Sequence, residues 1–306
     1  MKETWGTPLI SSLRKNKYLL LMLAPCLLHY LLFKYAPMFG LVIAFKDYNL
    51  FKGVWASPWV GLKWFDLFIM QNRDFWILLR NTLLLGLYRL VFGFPAPILL
   101  ALLMNEIRLV FFRRLVQSVS YMPHFLSTVI VVSMTVVLIS SQGLVTEAFR
   151  LFGLDISGIL YQPQYFRTIY VVTDIWQHTG WETILYMAAL STIDPRQYEA
   201  ARIDGAGRFS RMMHITLPGI MPTIIILLIL NIGHIIDIGF EKVFLLYNPA
   251  TYSTADVINT YVYRTGLILG NYSYASAIGF FNSVVGLILL AGANYISRRY
   301  SETSLY

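Results

Sequence analysis

Two small groups of polar residues interrupt otherwise apolar stretches and have the types and spacing to do chemistry. His178 and Glu182 are four residues apart, and Asn231 and His234 are three apart, with Asp237 shortly after them. Both spacings place the paired side chains on one face of a helix. Such a face could bind a metal ion, relay protons, or hydrogen-bond a polar solute that crosses between helices.

The metal and enzyme interpretations have little support in the sequence. The stretch around His178 reads WQHTGWE, which is not an HExxH pattern and has no third ligand nearby, so we predict no metal site. A glycosidase needs two converging carboxylates, and none of the 16 acidic residues is evidently paired with another. The chain also lacks a GxxxxGK[ST] phosphate loop, so we expect no cofactor in this chain and no ATP hydrolysis by it.

The composition indicates an integral membrane protein. Hydrophobic residues make up 57% and charged residues 13% of the chain, against roughly 45–50% and 25% in soluble domains. The net charge of +8 is typical of a membrane protein with basic cytoplasmic loops. No basic stripe with interleaved aromatic residues is present, so we expect no nucleic-acid partner. The single cysteine, Cys26, cannot form an internal disulfide.

The apolar runs predict an all-α membrane protein with six transmembrane helices in one domain, residues 1–306. Runs of about 20 apolar residues are long enough to cross a bilayer. The second run contains Gly93, Pro95 and Pro97, which we expect to break and kink its helix. The predicted spans are residues 18–45, 75–104, 115–139, 165–190, 219–238 and 274–296.

Basic residues set the expected orientation. An even number of spans puts both termini on one side, and Lys and Arg are enriched in short cytoplasmic loops. The outer segments hold nearly as many basic residues, but over longer stretches. We therefore place both termini in the cytoplasm. The basic residues on that side are Lys2, Arg14, Lys15, Lys17, Arg108, Arg113, Arg114, Arg196, Arg202, Arg208, Arg211, Arg298 and Arg299.

The most polar connection between two spans is the predicted cytoplasmic loop 191–218, which contains the stretch EAARIDGAGRFSRMMHITLP. We predict a helix, a break at Gly205, a second short helix, and the end of the loop at Pro218. Ala200 and Ala201 offer a small-residue surface that another protein could approach closely. The alternative is an ordinary charged loop, whose arginines are solvated or bind anionic lipid headgroups.

The spacing in this loop resembles the cytoplasmic EAA loop of binding-protein-dependent ABC importer permeases. The family pattern E-A-A-x3-G-x9-I-x-L-P is met by Glu199, Ala200, Ala201, Gly205, Ile215, Leu217 and Pro218. The DGA triplet that begins at Asp204 is similar to the sugar-importer branch. Residues 37–49, 59–65, 80–82 and 95–108 also resemble the oligosaccharide and polysaccharide permeases of this superfamily.

The resemblance implies the type I ABC importer permease fold in a bacterial cell membrane. It implies that loop 191–218 is a coupling loop that docks in a groove of an ABC ATPase dimer, which would hold ATP and Mg²⁺. It also implies an extracytoplasmic solute-binding protein, a second permease subunit that we expect to be a different chain, and an oligosaccharide cargo. The implied ATPase-coupling residues are Glu199, Ala200, Ala201, Asp204, Gly205, Ile215, Leu217 and Pro218.

Polar and aromatic residues inside the spans are the candidates for the substrate pathway, because polar groups in a membrane usually face a bundle interior or a cavity. Arg89 in the second span, and Asp174 and Glu182 in the fourth, are polar residues of this kind. Hydrogen bonding between helices is the competing role, and the polar residues of the fourth span could instead contact a binding protein. The predicted pathway residues are Trp176, His178, Trp181, Asn231, His234, Asp237 and Asn282.

Three other functions stay open at this point. An ion-coupled secondary transporter could use Asp237 or His234 as a proton relay, but it leaves the EAA spacing unexplained. An ABC permease for a different solute keeps the coupling loop and changes only the cargo. A membrane enzyme acting on glycolipids would need a nucleophile or an acid–base pair that the sequence does not display.

Overall fold

The computed structural model describes residues 16–300, with side chains to residue 298. This part of the chain is helical and contains no strand, apart from one isolated bridge between Lys46 and Trp59. The main helices are α1 (Lys17–Phe45), α2 (Phe75–Glu106), α3 (Val110–Phe125), α4 (Thr128–Leu138), α5 (Leu144–Leu151), α6 (Pro163–Leu190), α7 (Pro195–Ile203), α8 (Arg208–Gly233), α9 (Phe240–Leu246) and α10 (Tyr272–Tyr300). Shorter helical segments are Gly53–Ala56, Lys63–Asp66, Leu67–Gln71, Ile159–Tyr161, Pro249–Thr251, Tyr252–Ala255, Ile258–Tyr263 and Arg264–Ile268.

Four of the described helices are long and apolar enough to cross a membrane: α1, α2, α8 and the part of α10 up to Arg298. A fifth span results if α3 and α4 count as one, although they are bent by 101°. α6 has 28 residues, which is ample length, but its polar residues lower its mean hydropathy. Several of those residues, including Asp174 and Gln177, are buried against α2, α3, α8 and α9, so α6 need not be apolar throughout.

The structure differs from the expected third span, residues 115–139, which forms two helices instead of one. α3 ends in a 3-10 turn at Met122–Phe125, and α4 starts after Ser127, whose side chain accepts a hydrogen bond from the Ile130 amide. Pro123 lies in that turn and has no N–H with which to extend the preceding helix. Before the bend, α3 lies against α6 at Gly180. After the bend, α4 packs near the start of α6, at Phe166 and Tyr170.

The prolines of α2 do not break it. A π turn, Arg89–Gly93, precedes Pro95, and the helix continues from Pro95 to Glu106. Proline has no N–H to donate to the carbonyl four residues earlier. The π turn before Pro95 accommodates this missing hydrogen bond without ending the helix. The turn also determines where the Arg89 side chain points.

The expected fifth span, residues 219–238, is shifted. α8 begins at Arg208, runs through the π turn Met212–Thr216, and ends at Gly233. Pro218 therefore lies inside a helix, at the first turn after the π turn, and does not end the loop as expected. His234 to Ile236 form a turn, and α9 begins at Phe240, so the polypeptide is not helical where the apolar run 219–238 predicted the end of a span.

Buried side chains form three clusters along α2 and α6. One contains Phe68, Leu78 and Ile278, and a second contains Leu85, Tyr170 and Val243. The third, beside loop 191–218, contains Ala101, Leu102, Tyr186, Leu190 and Ile220. Gly86 and Gly180 let the helices touch, because a Cβ at either position would collide with the carbonyl oxygen of Ile235 or Ser120.

Candidate functional site

The loop after α6 folds as a helix, a glycine turn and a second helix. Asp194 caps α7 by accepting a hydrogen bond from the Arg196 amide at 2.9 Å, and Pro195 occupies the first turn. α7 ends at Ile203 with Asp204 as its C-cap, and Gly205 has a φ of +78°, the left-handed conformation that favours glycine. The predicted order of elements is present, but the second helix is the start of α8 and not a separate short helix.

The residues predicted to couple to an ATPase fall into two groups in this geometry. Glu199, Ala200, Asp204 and Gly205 are exposed around the end of α7, and Ala201 is half-buried. The second group lies at the start of the span: Ile215 and Leu217 are half-buried and Pro218 is exposed. Only the first group therefore presents side chains and backbone that a docking protein could reach together.

A cleft of about 450 Å³ lies beside α7. It is bounded by the end of α2, the end of α6 and the start of α8, and it combines acidic with basic side chains. Among the described residues, no arginine of this cleft forms an ion pair. The charged residues that line it are Glu106, Arg108, Glu199, Arg202, Arg208 and Arg211.

A hydrogen bond fastens α7 to α8. The hydroxyl groups of Tyr198 and Thr216 lie 3.1 Å apart, and Thr216 is buried. Sequence analysis singled out neither residue. The pattern gives no signal for this pair, because the two side chains meet only after the loop folds back on the span.

The second polar region is centred on the Asp174 carboxylate, inside the bundle. Its two oxygens lie 3.2 Å from Arg89 Nε and 3.3 Å from Lys242 Nζ. Lys242 Nζ also donates to Gln177 Oε1 at 3.2 Å, and His178 Nε2 lies 3.7 Å from the carboxylate. Asp174 and Lys242 are 10% and 5% exposed, so this pair is shielded from solvent.

Three elements bring these charges together. Asp174, Gln177 and His178 share one face of α6, Arg89 comes from the π turn of α2, and Lys242 comes from α9 after the break that follows α8. Buried charges require partners, and here one carboxylate serves two cations. Arg89 is 35% exposed, and its remaining guanidinium nitrogens have no hydrogen-bond partner among the described residues.

Arg89 and Asn231 line two adjoining cavities. The larger, of about 300 Å³, also includes His234 and Asp237 from the turn after α8. The narrower one reaches Asp174, His178 and Glu182 on α6. Together the two cavities are lined by guanidinium, amide, imidazole and carboxylate groups, which can donate and accept hydrogen bonds in several directions.

The other predicted pathway residues lie elsewhere. Asn282 lines a separate cavity of about 440 Å³ between α8 and α10, which Asp237 borders as well, and the Asn282 amide donates to Asn259 at 3.2 Å. Trp181 stacks on His124 with ring centroids 4.6 Å apart. Trp176 is 48% exposed and does not line either cavity beside Arg89.

Sequence analysis missed two residues of this region. Lys242 lies in what was expected to be an outer loop, and His124 lies near the start of the third span, where nothing distinguished it. His124 Nδ1 is 3.3 Å from His178 Nδ1. Neither residue has a local pattern that predicts a partner on α6.

Comparison with known proteins places the chain in a family. Residues 93–302 match the family described as the binding-protein-dependent transport system inner membrane component. The chain belongs to this family. It is therefore an all-helical membrane permease component with the type I ABC permease fold, as the EAA spacing predicted.

Individual relatives match over almost the whole chain. Protein LplB of Bacillus subtilis (strain 168) is 50% identical, covering 98% of this chain and 95% of the relative. The polygalacturonan/rhamnogalacturonan transport system permease protein YteP of the same organism is 46% identical, covering 97% of this chain and 93% of the relative.

Solved structures agree with these sequence matches. A chain of a bacterial ABC transporter involved in the import of the acidic polysaccharide alginate superposes with a TM-score of 0.87 at 43% identity, covering 95% of this chain and 98% of that chain. A second structure, of the alginate transporter in complex with alginate pentasaccharide-bound periplasmic protein, gives a TM-score of 0.88, also at 43% identity, covering 97% and 99%.

Proposed function

We propose that this chain is a transmembrane subunit of an ATP-driven importer that moves an oligosaccharide delivered by an extracytoplasmic binding protein. The observation that carries the proposal is the end-to-end match to permeases named for saccharide transport. The exposed helix and the glycine turn at the EAA sequence also support it, since local sequence signals predicted both.

In this proposal six spans cross a bacterial inner membrane, with both termini in the cytoplasm. They are α1, α2, the bent pair α3 and α4, α6, α8 with the turn that follows it, and α10. α6 counts as a span because its polar side chains are enclosed by other helices. Lys2, Arg14 and Lys15, which contributed to the expected orientation, lie outside the described residues, as does the side chain of Arg299.

The coupling loop would contact an ABC ATPase dimer that holds ATP and Mg²⁺. Glu199 would pair with a basic or hydroxyl group in the ATPase groove, and Ala200 and Ala201 would allow close approach. Gly205 supplies the turn that sets α7 at its angle to α8. Ile215, Leu217 and Pro218 would act at the root of the span instead of in the groove, which revises the role expected for them.

The cargo pathway would pass the break after α8. Transporters often bind their substrates where a membrane helix is discontinuous. Asn231, His234 and Asp237 lie at this break and, with Arg89, could hydrogen-bond sugar hydroxyl or carboxylate groups. The names of the relatives make uronate-containing oligosaccharides the first cargo to test, and a non-sugar solute is the alternative. Asn282, which lines the neighbouring cavity together with Asp237, would extend this pathway. Trp181 would hold His124 by stacking, and Trp176, which is half-exposed, would lie outside the pathway.

The remaining partners follow from this function. A second permease subunit, which we expect to be a different chain, would complete the pathway, and membrane lipid would surround both. The ion-coupled alternative would use Asp237 or His234, but it gives no reason for the coupling-loop sequence.

Transport by reconstituted complex tests the proposal. The permease pair, the ATPase and the binding protein would be reconstituted in liposomes, and uptake of labelled oligosaccharides of neutral and uronate type would be measured. We expect uptake only with ATP and binding protein, and uptake that persists when ionophores abolish ion gradients. Uptake that needs an ion gradient and no ATP would instead establish the secondary transporter.

A further inference from the structure

The loop that carries α7 is attached to α8 by side-chain contacts as well as by the polypeptide. The hydroxyl groups of Tyr198 and Thr216, which are 18 residues apart in the sequence, form a hydrogen bond. Thr216 Oγ1 also lies 3.4 Å from the Arg211 carbonyl oxygen, to which it can donate while it accepts from Tyr198. Thr216 is thus a buried junction between α7 and the π turn Met212–Thr216.

A second contact lies beside this bond. Ile193, in the connection before α7, packs so closely on α8 that a Cβ at Gly219 would be 2.7 Å from its Cδ1 atom. Leu217 packs in the same cluster with Ile193. The loop is therefore held by one hydrogen bond at the last residue of the π turn, Thr216, and by one apolar contact just after it, at Leu217 and Gly219.

The α-helical part of α8 after the π turn connects this junction to the polar cavity. It spans Leu217–Gly233, 17 residues, or about 25 Å at 1.5 Å per residue. Its far end is the break where Asn231, His234 and Asp237 line the cavity with Arg89. Pro222 lies inside this helix, but the helix is continuous from Leu217 to Gly233, so it can carry a displacement from one end to the other. The π turn at its start is an irregularity with wider hydrogen-bonded rings than the α-helix.

We infer that Tyr198 and Thr216 are a positioning pair that transmits movement of α7 to α8 and so to the cargo cavity. This inference rests on the proposed function and adds the route by which the coupling loop acts. Without the Tyr198–Thr216 bond, α7 could still dock on the ATPase, but its movement would be absorbed at the π turn. The expected defect is therefore in cargo moved per ATP hydrolysed.

The test compares this ratio in reconstituted complexes that carry Tyr198→Phe, Thr216→Val, or both. Each single change removes one hydroxyl and little volume. We expect each to lower the ratio of uptake to hydrolysis several-fold, and the double variant to be no worse than either single one, because both delete the same bond. Thr216→Ser keeps the hydroxyl and should retain most of the wild-type ratio.

Two controls make the outcome decisive. Tyr161→Phe removes the hydroxyl of an exposed tyrosine outside the loop and should keep the wild-type ratio. Glu199→Ala tests docking itself and should lower hydrolysis and uptake together. Suppose that Glu199→Ala behaves in this way while Tyr198→Phe and Thr216→Val keep the wild-type ratio. The inferred role of Tyr198 and Thr216 would then be wrong, and the proposed contact of the loop with the ATPase would be supported. If the wild-type complex does not take up cargo with ATP, both proposals fail.

Discussion

Replacing Gly205 with leucine should lower cargo-stimulated ATP hydrolysis by about tenfold while the chain still inserts into the membrane. Gly205 has a φ of +78°, and a leucine held there costs about 1–2 kcal/mol. A cost of that size on the docked geometry corresponds to roughly one order of magnitude. Among the described residues, and apart from the two chain neighbours, no atom lies within 4 Å of a Cβ placed at this position, so the effect would come from the backbone and not from a clash.

The chain offers a matched control two residues away. Gly207 also has open space around its Cβ position, but its φ is −67°, which any residue adopts. Gly207→Leu should therefore leave hydrolysis close to the wild-type rate, and Gly205→Asn should be milder than Gly205→Leu because asparagine tolerates the left-handed region. Equal activity in the two leucine variants would mean that the turn at Gly205 does not set the coupling geometry.

Neutralising one charge of the buried group around Asp174 should destabilise the protein strongly. Breaking a buried ion pair on one side typically costs about 3–5 kcal/mol, because the partner stays buried without compensation. Asp174→Asn leaves Lys242, which is 5% exposed, facing Arg89 without their shared carboxylate. We expect it to be worse than Lys242→Met, after which Asp174 still has Arg89. The measurement is the midpoint of thermal unfolding of the purified protein in nanodiscs.

The double variant separates charge from packing. Asp174→Asn with Lys242→Met removes both buried charges and should unfold at a higher temperature than Asp174→Asn alone, since Arg89 can reach the cavity. Glu147→Gln, which breaks the exposed pair with Arg150, serves as the control and should shift the midpoint little. If Asp174→Asn unfolds no earlier than Glu147→Gln, the buried group does not hold α2, α6 and α9 together.

Local sequence patterns predicted the order of elements in loop 191–218, a helix, a turn at Gly205 and a second helix. Pro195 and Gly205 act within a few residues, and the helix and the turn that they predict are present. The six apolar runs likewise predicted helices in each of six places. Their bounds were less accurate where a proline or a π turn changed the path, as at Pro123 and Pro218.

Long-range contacts account for what the sequence did not predict. Lys242 belongs to a stretch that we expected to be a loop. It is buried because its ammonium group bonds to the carboxylate of Asp174 on α6, 68 residues earlier in the chain. The helix break after Gly233 has no proline or charge run to announce it, and its neighbours come from α2 and α10. Tyr198 and Thr216 meet for a similar reason, since the fold, and not the spacing, brings them into contact.

A site-specific cross-link tests most directly whether the loop at Glu199 and Gly205 is the contact with the ATPase. Cys26 is the single cysteine, so Cys26→Ser with Ala200→Cys gives one reactive position on the exposed face of α7. In membranes that contain the assembled complex, a short cross-linker with a maleimide at one end and an amine-reactive ester at the other would bond to this cysteine and to a nearby lysine of the ATPase. It should join the two chains at Ala200→Cys and not at Leu269→Cys, an exposed position before α10. An adduct with the ATPase from Leu269→Cys and none from Ala200→Cys would contradict the coupling-loop assignment and the proposed orientation together.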